Sequence, residues 1–441
     1  MGQQYSWVSS IFYFGFFFWA YPTNVLIVRL PIGKYISFNT FFWGAVVALT
    51  AACSNYGGLL ALRFLLGCFE ATITPAFMFL TTSWYTRDEI PTRTGLWFAG
   101  NSFGGLVASL LAYGVGHIKH PLSPWMWLYI ILGVATFLWG FALLVFLPDS
   151  ISRARFLTTE ERGLMQDRAV IAGTGRTEYT AWKWDQTIEC LVDPKTWHVF
   201  SLALLTQIPN GGTQNFSNLV IKSFGFSSLE STLMKIPSSA VSMLAITITG
   251  YLAGRYRQMN CILVVVTIAI AITGTSLIYA RSHVPKGVQL FGYYLLEVGP
   301  AALPLVLSLV QTNYKGVTKK MTVTALLFVA YCAGNIAGPQ FFKSSEKPLY
   351  PTAFRAILIC YIFAAVLAIT LRFYLQFMNH KRIREEGAQS NAGSTAVVAG
   401  SKVAGPDNKN AVVEAVSNVA LQPADYEDVT DWKTVGFRYR V

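Results

Sequence analysis

Long apolar runs alternate with short polar connections along most of this chain. Eleven runs stand out, over residues 5–28, 36–54, 59–85, 94–117, 124–147, 196–220, 229–253, 260–280, 287–311, 321–342 and 353–378. Each is about twenty residues or longer, enough for an α-helix to cross the hydrocarbon core of a bilayer. The pattern predicts an all-α polytopic membrane protein. Five runs precede and six follow one long polar connection, Pro148 to Pro194. The expected organisation is an N-terminal helix bundle (1–147), a linker (148–195), a C-terminal helix bundle (196–378) and a tail (379–441).

Composition agrees with a membrane setting. Hydrophobic residues make up 53% of the chain and charged residues 13%, roughly half the charge of a soluble domain. The net charge of +12 resides in the connections, so it reads as a topology signal and gives no nucleic-acid patch. Arg153, Arg155, Arg162, Arg168, Arg176, Lys183 and Lys195 mark the linker as cytoplasmic. Arg29 and Lys34, Arg87 and Arg93, Arg255 and Arg257, and Lys315, Lys319 and Lys320 fall on the same side. Lys381, Arg382 and Arg384 place the C-terminus there too. The opposite loops hold fewer basic residues, among them Lys119, Arg281, Lys286, Lys343 and Lys347.

This alternation puts Met1 on the outer side. Two equal halves of six would need one more helix in front, so the expectation is about eleven spans of twelve. A shortened gene model, an alternative start or a real truncation would each give that result.

Other features are local. Thr158 and Glu161 have capping-box spacing, so a surface helix starts there. After Met378 the chain becomes rich in Gly, Ser, Ala and Asn, which predicts a disordered cytoplasmic tail. Its last stretch, Tyr426 to Tyr439, carries aromatics and charges suited to touching the bundle or a partner, against the solvated tail that such composition usually gives. Cys53, Cys68, Cys190, Cys261, Cys332 and Cys360 form no CxxC pair and read as structural thiols. The histidines are dispersed and no nucleophile–base pair, phosphate loop or metal spacing appears, so no enzyme, metal or cofactor is expected.

The candidate chemistry lies inside the spans, where ionisable groups are costly and usually functional. Arg63 and Glu70 are seven residues apart, close to two helical turns, and share one face with Gly67 between them. A missing side chain at Gly67 admits a neighbouring helix or a substrate. The competing reading is a snorkelling Arg63 and a Glu70 that pairs with another helix. Residues Gly100, Gly104 and Ala108, with Asn101, Gly105, Ser109 and Ala112, form two small-residue stripes. Close helix packing explains all but Asn101, a candidate substrate contact. In the run 196–220, Pro209 with Gly211 and Gly212 predicts a broken or kinked helix. Gln207, Asn210 and Gln214 lie near one face there, suited to a carboxylate or to a polar contact between the halves. Glu297, beside Pro300, reads either as a proton carrier or as a wet acid near the outer end. Tyr331, Asn335 and Gln340 are candidates for lining the same cavity.

Several of these motifs together resemble the major facilitator superfamily, and within it the fungal anion:cation symporters such as allantoate, nicotinate and pantothenate permeases. Arg63-x-x-x-Gly67-x-x-Glu70-Ala71 is similar to the superfamily's fourth-helix motif. Tyr21-Pro22-Thr23-Asn24 followed by Arg29 is similar to the end of the second helix and its cytoplasmic loop. Leu157-Thr158-Thr159-Glu160-Glu161-Arg162 resembles the helix opening the central loop. Gly334-Asn335-Ile336-Ala337-Gly338-Pro339-Gln340-Phe341, then Pro348-x-Tyr350, resembles the eleventh-helix signature. Gly250-x-x-x-Gly254-Arg255 repeats a trace of the gating-loop motif in the second half. At the first copy Asn24 stands where an acid is common.

The resemblance implies two pseudo-symmetric helix bundles around a central cavity and proton-coupled symport of a small organic anion by alternating access. The anion is a carboxylate, ureide or vitamin. It implies Arg63 as the anion-attracting or coupling charge, Glu70 as its partner or the proton carrier, and Asn24, Arg29, Gly250 and Arg255 in gating. Asn210 and Gln214 would orient substrate with Asn335 from the other half. The expected partners are the anion, protons and the lipid bilayer, with the chain acting as a monomer, and the expected location is the plasma membrane. Two other functions compete: a non-transporting receptor or inactive truncated paralogue, and a multidrug exporter.

Overall fold

The computed structural model describes residues 2–118, 122–171, 182–280, 284–392, 428–434 and 436–441. The stretch 393–427, with most of the low-complexity tail, lies outside the described residues, as do Lys119, Arg176 and Arg281. Every regular element among the described residues is helical. The first half contains α1 (Gly2–Arg29), α2 (Ile32–Thr50), α3 (Tyr56–Glu70), α4 (Ile73–Trp84), α5 (Ile90–Val115) and α6 (Pro124–Phe146). The linker contributes α7 (Thr159–Ile171) and α8 (Trp184–Val192). The second half contains α9 (Pro194–Ser223), α10 (Ser228–Leu233), α11 (Lys235–Arg255), α12 (Asn260–Tyr279), α13 (Lys286–Leu296), α14 (Ala302–Asn313), α15 (Val317–Ala337) and α16 (Pro351–Ala392).

Two of the predicted runs are interrupted helices. The run 59–85 becomes α3 and α4, broken just after Glu70. Pro75 has no N–H to offer the carbonyl of Ala71, and its ring crowds that carbonyl. The run 287–311 becomes α13 and α14, joined by a 3-10 turn at Gly299–Ala301, where Pro300 and Pro304 have the same effect. With each broken run taken as one span, nine helices of the described chain are long and apolar enough to cross a membrane. The other two expected spans, α2 and α9, are helical over 19 and 30 residues and are not among these nine.

The run 196–220 is not broken at its proline. α9 is one helix from Pro194 to Ser223 and passes through Pro209. The glycines beside that proline admit α15 instead of unwinding the chain. A Cβ on Gly211 would lie 2.6 Å from the Asn335 Cα, and one on Gly212 would lie 2.6 Å from the Phe342 ring. This packing holds the helix together across the hydrogen bond that Pro209 cannot make.

Glycine also sets the contact between the halves. α5 packs on α11 where a Cβ on Gly95 would come 2.9 Å from the Gly250 Cα. Gly105 faces Ser239, but Gly100 and Gly104 have nothing within 4 Å of a built Cβ. The small-residue stripe therefore packs closely at Gly95, one turn before the predicted stripe begins. In the first half Gly67 meets α1, its Cβ position lying 2.0 Å from the Phe12 carbonyl oxygen.

Packing is densest at the linker end of the bundle. All twelve residues of α14 are buried, and so is α15 from Val317 to Ala325. In α5 the buried residues cluster between Ile90 and Ala99. The linker helix α7 has the predicted capping box, with Thr158 N donating to Glu161 Oε2 at 2.8 Å and Glu161 N to Thr158 Oγ1 at 3.3 Å.

The tail differs most from its prediction. α16 continues to Ala392. Farther on, Thr430, Asp431, Phe437, Tyr439 and Val441 are buried against the linker end. All but Val441 lie in the stretch whose aromatics and charges suit it to touching the bundle, and the partners that seat it on the bundle are distant in sequence.

Candidate functional site

Glu70 is the last residue of α3, at the interruption, and is half-buried. Its carboxylate lies within electrostatic range of the phenols of Tyr13 on α1 and Tyr331 on α15. Those rings sit 6.1 Å apart, centroid to centroid. Phe16 joins them, 5.7 Å from Tyr331 and 5.7 Å from Phe328. α1 belongs to the first half and α15 to the second, so tyrosines from both lie within electrostatic range of this acid.

Arg63 shares the Glu70 face, but no ion pair of 4 Å or less joins them among the described residues. Its Nη2 donates instead to Tyr129 Oη on α6 at 2.6 Å. Its buried Nε has no partner among the described residues. An arginine held by one hydroxyl with a donor to spare suits a bidentate anion.

The amide residues of the second half form a closed set. Asn210 Nδ2 donates to Gln207 Oε1 and to Asn335 Oδ1, both at 3.1 Å, and Asn335 Nδ2 donates to Gln207 Oε1 at 3.2 Å. Asn335 Nδ2 also donates to the Tyr331 carbonyl at 2.9 Å. α9 and α15 belong to the same half, so this is neither a contact between halves nor a pairing of Asn210 with a residue of the other half. Gln214, one turn beyond Asn210, is exposed, and so are Asn101 and Gln340. These three stand outside the set.

Glu297 sits between α13 and the 3-10 turn Gly299–Ala301 with 8% of its surface exposed, so it is not a wet acid. Lys235 on α11 and Tyr361 on α16 lie within its electrostatic range. Glu70 and Glu297 thus both mark breaks in a long span, one in each half.

The expected gating residues are only partly engaged. Asn24 is buried inside α1, its Nδ2 donating to the Ala20 carbonyl at 2.6 Å. Arg29 and Arg255 are exposed. Gly250 makes the close contact with Gly95 described above. The charged link between the halves comes from the connection after α4. Arg257, two residues beyond Arg255, binds Asp88 through two bonds of 3.0 and 2.8 Å. Arg87 donates to the Thr312 carbonyl from Nε at 3.0 Å and Nη2 at 2.6 Å. Gln311 Nε2 donates to Thr94 Oγ1 at 3.1 Å. The Arg87-Asp88 pair was visible in the sequence only as positive-side charge, since its partners lie on α14 and beyond α11.

Two packed halves, an acid between them and charged links closing one end define a membrane transporter. The chain matches the family model "Major Facilitator Superfamily" over residues 2–339, and it belongs to that superfamily. It is similar to an uncharacterized transporter of Schizosaccharomyces pombe, at 33% identity over 99% of this chain and 80% of the relative. It is also 31% identical to the allantoate permease of Saccharomyces cerevisiae, over 99% of this chain and 78% of that one. Among solved structures, a proton:xylose symporter superposes with a TM-score of 0.65 at 11% identity, covering 84% of this chain and 85% of that chain. A human organic anion transporter gives a TM-score of 0.59 at 15% identity, covering 83% and 82%. The chain is an integral membrane transporter and not an enzyme.

Proposed function

We propose that this chain carries a small organic anion into the cell together with protons, by alternating exposure of a site between its two halves. The observation that carries the reading is the α3 face. It presents Arg63, with an unpaired guanidinium donor, and Glu70, at a helix break facing Tyr13 and Tyr331. The cation attracts the carboxylate. The acid takes up or releases a proton as the halves rock. Asn210 and Asn335 already satisfy one another, so they hold α9 against α15 and offer Gln214 as the free amide nearby. Similarity to the allantoate permease of Saccharomyces cerevisiae supports the anion class.

On this reading the linker end is cytoplasmic, by the placement of its basic residues. The chain acts as a monomer in the plasma membrane, with Arg257, Arg87, Asp88 and Gly250 at the cytoplasmic gate. The test is uptake of labelled allantoate, nicotinate, pantothenate and a dipeptide by transport-deficient yeast. Uptake of one anion, faster in acid and abolished by a protonophore, is expected. Absence of uptake from a chain shown to reach the surface overturns the reading in favour of a receptor.

A further inference from the structure

The linker end contains a lysine cluster that the transport site does not use. Lys319 on α15 and Lys195 on α9 are buried. Asp193 of the linker pairs with both, and Glu189 on α8 pairs with Lys319. The third acid is Asp431, whose carboxylate lies 2.7 Å from Lys195 Nζ and 2.9 Å from Lys319 Nζ.

The rest of the segment is seated as specifically. Two asparagines clamp its backbone, each through both side-chain atoms. Asn313 accepts from Arg440 N at 2.6 Å and donates to its carbonyl at 2.8 Å. Asn379 accepts from Tyr439 N at 2.8 Å and donates to its carbonyl at 2.9 Å. Asp428 accepts from Val317 N at 2.8 Å, at the start of α15. All these partners belong to the second half.

The first half is held as well. Arg87 donates to the Arg438 carbonyl at 2.8 Å and lies 4.3 Å from the centre of the Phe437 ring. Arg440 pairs with Asp88. Arg87 and Asp88 are the residues that also reach Thr312 and Arg257 directly, so the segment adds a second layer to one closure.

The geometry points to a docking site at the linker end for the chain's own segment Asp428–Val441, which straps the two halves together there and must leave before that end can open. The inference rests on the proposed alternation between halves. The strap makes bonds to both halves, and parting them at this end pulls Arg440 from either Asp88 or Asn313. Release of the segment therefore precedes opening, and a cytoplasmic partner or modification that captures it would raise the rate of the cycle.

The experiment uses the full chain in inside-out membrane vesicles, with Thr94→Cys as reporter. Thr94 is buried beside Gln311. A membrane-impermeant maleimide should leave it unlabelled. With Asp431→Asn and Tyr439→Ala added, labelling should be at least about ten-fold faster, the scale of a typical coupling between sites. Equal labelling in both chains overturns the strap. This readout needs no substrate, so it stands or falls apart from the anion reading.

A second arm covers misfolding of that variant. Asn313→Cys with Arg440→Cys, cross-linked by mild oxidation, should stop uptake, and a reductant should restore it. Uptake that persists after complete cross-linking overturns the strap. Absence of uptake even when reduced counts against transport instead, and the labelling arm then decides the strap alone.

Discussion

Lys319 Nζ lies 2.9 Å from Asp431 Oδ1, and neither side chain is exposed to water. In the sequence Lys319 is a cytoplasmic-side charge and Asp431 lies in the aromatic and charged end of the tail. Together they occupy the centre of the closed end of the bundle. Without Asp431, Lys319 keeps Glu189 and Asp193 and Lys195 keeps Asp193, so the loss is smaller than the roughly 3–5 kcal/mol of a buried charge left unpaired. Asp431→Ala should still lower the thermal transition of the purified chain clearly. Asp185→Ala removes an exposed pair with Lys433 at 3.4 Å and should cost at most about 1 kcal/mol. Equal effects from the two would show that Asp431 is not buried in solution.

The same contacts set a pH dependence. Burial pushes the Asp431 carboxyl up, but Lys195 and Lys319 outweigh it and hold the group below the usual aspartate range. Glu189 and Asp193 share Lys319, and Tyr439 Oη donates to Asp431. Asp88 is held low likewise, burial being outweighed by Arg440 and Arg257. A lowered carboxylate contributes stability above its unfolded value and loses it as pH falls through its folded value. The protection of the Tyr439 and Arg440 amides against hydrogen exchange, corrected for intrinsic rate, should be constant down to about pH 4. It should decline only below that. A loss near neutral pH would mean that another group holds the segment.

Gly95 and Gly100 occupy the same helix in different surroundings. Gly95→Ala places a methyl group against the Gly250 backbone at 2.9 Å, where something must shift. Overpacking of this kind typically costs about 1–3 kcal/mol. Gly100→Ala and Gly104→Ala meet open space and should be neutral or mildly stabilising through helix propensity. Thermal transitions of the three variants test the order, and parity among them would contradict the α5–α11 contact.

The amide set predicts coupling rather than simple addition. Asn335 is fully buried and shares Gln207 with Asn210. Its loss leaves polar atoms unpaired at a cost of about 1–3 kcal/mol. Asn210→Ala should add less in an Asn335→Ala chain than alone, by about 0.5 kcal/mol or more. Strict additivity in this double-mutant cycle would mean the two do not share a partner.

Much of this architecture is legible in the sequence because membrane spans are long and locally encoded. The capping box at Thr158 and the glycine at residue 67 act through near neighbours or a simple absence of bulk, and both read correctly. A break at Pro209 does not occur, and nothing near residue 209 reveals that α15 packs against the glycines beside it. The contact of Arg257 with Asp88 is not legible either, since Asp88 lies in the other half and nothing near residue 257 marks it. Asp431 was illegible for the same reason. A short segment after a long polar stretch carries no periodicity, and its meaning depends on Lys195 and Lys319.

The most direct measurement of the central claim is uptake of the transported anion by the Glu70→Gln chain, compared with the unaltered chain across external pH. The amide keeps the shape beside Tyr13 and Tyr331 but cannot exchange a proton. The account predicts that uptake falls and no longer rises with external acidity, while the chain still reaches the cell surface. Uptake that keeps its full dependence on external pH would contradict the role of Glu70 and, with it, the proposed coupling.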